Sequence, residues 1–223
     1  MYQWDWNVIG QYKYVFLQGA LVTLWLTLLV VVFGTILGIL VGLVRRSNVP
    51  FIPTIAKIYI ELFRAFPTLI LLIWFYYVSP IIIGVQFSPF WTAVIALSLS
   101  LAAFVAETFR AAVGSIPKNQ FESGFTMGLS STQTMFHIIL PQAVKNMLPN
   151  LLGLYVTQLK NTSLASVIAV GEVLHQASTI SSMTYRPLEI YSAVAVIYLI
   201  LVIPFSLLAD WVEKRMNMKM RKI

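Results

Sequence analysis

The chain has 223 residues, 59% hydrophobic and 10% charged, with a mean hydropathy of +0.83 and a net charge of +7. Such a balance excludes an ordinary water-soluble domain and implies a polytopic membrane protein. The cations gather at the ends of apolar runs instead of forming an aromatic-interleaved stripe, which argues against nucleic acid, and the lack of cysteine excludes disulfides, thiolate metal sites and cysteine nucleophiles.

Residues 1–11 lack a basic segment and contain Asp5, so the sequence predicts an N-terminus that is retained. Trp4, Trp6, Tyr12 and Tyr14 precede the first apolar run, as amphipathic rings do at the headgroup level. A first span is predicted over 15–44, where Gly34, Gly38 and Gly42 recur every four residues and would let a second helix approach closely. Arg45 and Arg46 end it, and Pro50 and Pro53 turn the chain into a second span over 54–78. Further spans are predicted over 90–113, 150–170 and 188–209, each long enough for a hydrocarbon core of about 30 Å. The result is one all-α, five-span membrane domain over 1–223, with loops at 79–89 and 171–187 too small to be a solute receptor. Arg45, Arg46, Lys57, Arg110, Lys118, Lys145 and five cations of the tail fall on one side, and only Lys13 and Arg186 on the other. By the positive-inside rule the N-terminus is outside and the C-terminus cytoplasmic.

Between the third and fourth spans lies a polar connection over 114–149, which this topology places in the cytoplasm. Asn119 with Glu122, and Ser130 with Gln133, each fit a capping box and predict two short helices. Gly128 stands between them, suited to a left-handed turn.

Polar residues inside the spans are candidate solute contacts. Thr157, Gln158, Lys160, Asn161, Thr162, Ser163 and Ser166 cluster in the fourth, and Lys160 near mid-span demands a partner or a water-filled cavity. Its alternative role is a buried lysine paired with a carboxylate or with the backbone to fix helix packing. In the second span, Glu61 and Arg64 are three residues apart and can pair, while Pro67 frees backbone carbonyls beside Arg64. Glu107 and Arg110 make a similar pair, read as a structural or gating bridge. His137 and His175 lie outside any metal-ligand spacing, and neither a GxxxxGK[ST] phosphate loop nor a GxSxG elbow occurs. The chain is therefore expected to be no enzyme, to bind no cofactor itself and to hold no metal.

The spacing of the polar connection resembles the EAA loop of ABC-importer permeases: Glu-Ala-Ala, three residues, Gly, nine residues, Ile-x-Leu-Pro. Glu122, Gly128, Ile138, Leu140 and Pro141 occupy those positions, with Ser123 and Gly124 in place of the alanines. Glu61-Leu62-Phe63-Arg64-Ala65-Phe66-Pro67, Glu107-Thr108-Phe109-Arg110-Ala111 and Gln158-Leu159-Lys160-Asn161-Thr162-Ser163-Leu164 are similar to stretches of the polar amino acid uptake branch of that family. The resemblance implies type I importer architecture and a permease in the bacterial cytoplasmic membrane. It further implies a second permease copy or a sister permease, two ATPase chains that hold ATP and magnesium, and an extracytoplasmic solute-binding protein. ATPase coupling would fall to Glu122, Ser123, Gly124, Gly128, Ile138, Leu140 and Pro141. Solute contact would fall to Arg64, Thr157, Lys160, Asn161, Thr162 and Ser163, whose two cations lean toward glutamate or aspartate. An ion-gradient-driven transporter and an intramembrane enzyme are the competing classes.

Overall fold

Every secondary-structure element in the described residues, 2–47 and 49–220 of a computed structural model, is helical. A short α1 (Asn7–Gln11) leads into α2 (Lys13–Val44), 32 residues without a proline or an acidic side chain. Among the described residues, three helices are long and apolar enough to cross a membrane: α2, α6 (Pro89–Gly114) and the run 187–216 of α11 (Pro187–Met220).

The expected span over 54–78 is not one straight helix. It is α3 (Ile52–Ala65) followed by α4 (Thr68–Ile73), and the pair Ile52–Ala65 and Thr68–Ile83 is bent by 106°. Pro67 disfavours helical backbone at Phe66, which is extended at φ −75° and ψ 133°. Beyond α4 a π turn at Trp74–Val78 runs into α5 (Ser79–Ile83). Pro80 has no N–H to donate there, and the Ser79 hydroxyl instead reaches the Phe75 carbonyl at 2.6 Å.

After α6 come α7 (Lys118–Thr126), α8 (Ser131–Thr134), a second π turn at Met135–Ile139 and α9 (Leu140–Asn161). The second π turn also precedes a proline, Pro141. The fourth predicted span, 150–170, thus falls on the second half of α9 and a 3-10 segment at Thr162–Ile168, which closes at left-handed Ala169. The region 171–187, read from sequence as a loop, contains α10 (Val173–Thr184). Its Val173, Ala177 and Ile180 are buried at helical spacing in a small core shared with Val8, Phe16, Ile190 and Val194.

The glycine seam is real. Cβ atoms added at Gly34, Gly38 and Gly42 would fall 2.9, 2.5 and 2.6 Å from Leu101, Val105 and Phe109 respectively. Both series advance by four residues in the same direction, so α2 and α6 pack as parallel helices with their backbones in near contact. Around this pair the main core gathers Leu97, Leu101, Val105, Phe109, Ile139 and Met147.

Candidate functional site

The polar connection is a built elbow. Helix α7 starts at Lys118 after Pro117, two residues earlier than the Asn119–Glu122 pattern predicts, because proline presets the helical entry and no side chain caps it. At its far end the Leu129 N–H donates to Gly124 O and the Gly128 N–H to Phe125 O, both at 3.0 Å, while Gly128 takes φ +75°. This is the reverse turn expected of a glycine just past a helix. The second capping box forms as read: Ser130 N–H donates to Gln133 Oε1 at 2.9 Å, and Gln133 N–H to Ser130 Oγ at 3.3 Å.

Gly124 lets the two arms of the elbow close on each other, since a Cβ there would lie 2.4 Å from Thr134 Cγ2. Gly124, Thr134 and Ile139 are buried, Ile138 and Leu140 half-buried, and Glu122, Ser123, Gly128 and Pro141 exposed. Phe125, Met127 and Phe136 are 53, 74 and 51% exposed, so the elbow turns apolar side chains outward around its tip. Sequence spacing located the elbow but did not single out these three.

Arg64 does not pair with Glu61, which lies 3.7 Å from Lys57 instead. The bend at Pro67 carries the end of α3 toward α6, and Arg64 sits 3.9 Å from Glu107 with its guanidinium 5.8 Å from the Phe104 ring. Glu107 is a hub: Arg45 donates to it at 2.9 Å and Arg110 at 2.6 Å. Three guanidiniums around one carboxylate leave an excess of positive charge where α2, α3 and α6 meet.

Lys160 is not at mid-helix. Helix α9 begins at Leu140 and ends at Asn161, so Lys160 lies in its last turn, where the helix dipole favours a cation. Lys160 and Thr157 are exposed on the isolated chain, Asn161 and Ser163 half-buried and Thr162 fully buried. The hydroxyls of Thr157, Thr162 and Ser163 donate to the carbonyls of Gly153, Leu159 and Lys160 at 2.9, 2.7 and 2.8 Å. The cluster is therefore contiguous in space, but it is organised by a helix end and not by a buried ion pair.

Two buried carboxylates escaped the sequence reading. Glu172, fully buried, caps α10: it accepts the N–H groups of Leu174 and His175, each at 2.8 Å, and the Tyr198 hydroxyl at 2.9 Å. Burial pushes its carboxyl up, against the pull of the two N–H groups and the phenol. Glu189, also fully buried, accepts the Asp5 N–H at 2.9 Å and the Tyr2 hydroxyl, and Arg186 donates to the Gln3 carbonyl at 2.6 Å. The one available signal was a Glu placed just before an apolar run of helical period.

The family model described as "Binding-protein-dependent transport system inner membrane component" matches residues 34–218. The glutamine transport system permease protein GlnP of Escherichia coli (strain K12) is 35% identical over 216 residues, covering 96% of this chain and 99% of its own length. The L-cystine transport system permease protein TcyL of Bacillus subtilis (strain 168) is 33% identical over 225 residues, 98% of this chain and 94% of its own. Among solved structures, an amino acid ABC transporter with histidines superposes with a TM-score of 0.89 at 33% identity, over 96% of this chain and 100% of that one. The MetNI methionine ABC transporter in an inward-facing conformation shares the fold at a TM-score of 0.77 and 21% identity, over 92% of this chain and 98% of that one. A helical order with a polar elbow between α6 and α9, matched almost end to end in sequence and in space, has one reading: the chain belongs to the binding-protein-dependent transport system inner membrane component family, as a permease of an amino acid ABC importer.

Proposed function

We propose that this chain is the membrane-spanning subunit of an ATP-driven importer of polar amino acids, and that the elbow from Glu122 to Pro141 is where a separate ATPase grips it. The observation that carries this reading is the apolar tip formed by exposed Phe125, Met127 and Phe136 around the Gly128 turn, on arms held together by the Gly124–Thr134 contact. A patch of that kind on an otherwise polar connection marks a protein contact. Two ATPase chains carrying ATP and magnesium, a second permease copy or sister permease, and an extracytoplasmic binding protein complete the machine. ATP binding closes the ATPases, moves the elbow and tips the helices between inward-open and outward-open states. The cation distribution supports a cytoplasmic elbow and tail in a bacterial cytoplasmic membrane, with the N-terminus outside.

The solute is a polar amino acid. Arg64, at the loose edge of the Glu107 hub, and Lys160, without an acidic partner among the described residues, are the cations that would meet its carboxylates, with Thr157, Asn161, Thr162 and Ser163 around Lys160. Their sign favours glutamate or aspartate. The names of GlnP and TcyL keep glutamine and cystine in the comparison. The test reconstitutes the chain with its ATPase and binding protein and measures ATP hydrolysis with glutamate, aspartate, glutamine, cystine and arginine in turn. Stimulation by the acidic pair, abolished by Gly128→Glu at the elbow, is expected. Uptake that survives ATP depletion and collapses with an uncoupler refutes the ATP-driven reading, and stimulation by arginine alone refutes the acidic lean.

A further inference from the structure

At the end of the bundle where α2 and α11 both begin, a groove of about 480 Å³ opens between them. Ile9, Phe16, Ala20, Val196 and Ile197 line it, and Lys13 is the single charged residue on its wall. Helices α2 and α11 start at the same end because α1 packs on α11 and the Gln3 and Asp5 backbone is held by Arg186 and Glu189. The groove runs inward along α2 from Lys13 to Ala20, about 10 Å at the helical rise.

We infer that this groove holds one bilayer phospholipid, its phosphate on Lys13 and the upper part of one acyl chain between α2 and α11. Three features of the site select that occupant. First, Lys13 is the opening residue of a 32-residue helix whose N-terminus no side chain caps, so the positive end of the helix dipole adds to the ammonium charge at the mouth. Second, no acidic side chain lines the groove to neutralise that charge, and the one hydroxyl on its wall, that of Ser192, is spent on the Leu188 carbonyl at 2.6 Å. Third, Trp6 stands on the same wall, stacked on Trp4 at 5.2 Å and more than half exposed, a pairing that marks the headgroup level. Cation and aromatics at the boundary with an apolar slot beneath match a lipid from head to tail. An amino acid, polar at both ends, finds no partner in that slot.

The binding is independent of what the transporter carries. It is tested on the intact transporter complex, moved from detergent into nanodiscs of phosphatidylglycerol or phosphatidylcholine and read by native mass spectrometry after delipidation. The wild type is expected to keep one lipid per copy of this chain and to prefer phosphatidylglycerol. Lys13→Gln reduces that preference about fivefold, the weight of one lysine near an anionic surface at about 1 kcal/mol. Val196→Trp, at a position 54% exposed and so tolerant of bulk, fills the slot and abolishes retention. Should that variant fail to assemble, Lys13→Gln alone decides. A wild type that keeps no lipid, a preference untouched by Lys13→Gln, or a cysteine at Leu17 that cross-links efficiently to a second permease copy across the groove overturns the assignment.

Discussion

Gly124→Ala restores the residue that the EAA pattern carries at this position, and in this chain it is expected to weaken the elbow. The new methyl would stand 2.4 Å from Thr134 Cγ2, 2.5 Å from its Oγ1 and 3.0 Å from its Cβ. Carbon atoms pack best at about 3.5–4.0 Å, so the encroachment is about 1 Å or more. Thr134 is β-branched and 1% exposed, which leaves it no room to turn aside. Overpacking of this kind costs about 1–3 kcal/mol, against a gain of about 0.8–1 kcal/mol from placing alanine for glycine inside a helix. The clash wins, by about 1 kcal/mol. Hydrogen exchange of the α7 amides in the assembled transporter reads the outcome, at about fivefold faster opening per kcal/mol. Thr134→Ala removes the two nearest atoms and leaves only its Cβ, 3.0 Å away, so on that background Gly124→Ala should speed exchange much less than it does alone. Unchanged or slower exchange from Gly124→Ala alone would show that the two arms are not packed against each other.

The α2–α6 seam makes a second expectation. Gly38→Ala sets a methyl 2.5 Å from Val105 Cβ and 2.7 Å from the Ala102 carbonyl, and should lower the melting midpoint in detergent by several degrees, while Gly153→Ala, with nothing within 4 Å, should not. Equal midpoints for the two variants would dissolve the seam. Glu172→Ala strands two N–H groups and the Tyr198 hydroxyl, a loss of about 1–3 kcal/mol, and Tyr198→Phe should cost about 1 kcal/mol. Amide protection at Leu174 and His175 is the readout, and retention in both variants rejects the cap. A single cysteine at Ser131, introduced into a chain that has none, should resist impermeant maleimide in intact cells and label after permeabilisation. Labelling from outside would invert the topology.

What could be read from sequence was periodic or local. Apolar runs located α2, α6 and α11, the four-residue glycine repeat announced a close helix contact on α2 without naming its partner, and Ser130, Gln133 and Gly128 described the turn of the elbow down to its hydrogen bonds. What escaped depended on partners far along the chain. Glu172 is satisfied by Tyr198 and Glu189 by Asp5 and Tyr2, so nothing among their chain neighbours marks either as buried. Hydropathy alone starts a span at 150, whereas the helix begins ten residues earlier at Leu140 and ends at Asn161, which puts Lys160 in its last turn. Pro67 signalled a break, but its consequence, Arg64 delivered to Glu107 and parted from Glu61, follows from a 106° change of direction that spacing cannot supply.

The hub around Glu107 is unequal in its grip. Arg45 and Arg110 bind it at hydrogen-bonding distance from the end of α2 and from α6 itself, helices already locked by their glycines, whereas Arg64 reaches it at 3.9 Å from α3, just before the chain breaks at Pro67. Half-exposed pairs of this kind are worth about 0–1 kcal/mol each, so letting go of the outer arginine is nearly free. Arg64 is thus the most weakly held of the three, while α3 itself stays on α6 through the Tyr59 hydroxyl, which donates to the Leu99 carbonyl at 2.7 Å, and through buried Ala56 and Ile60.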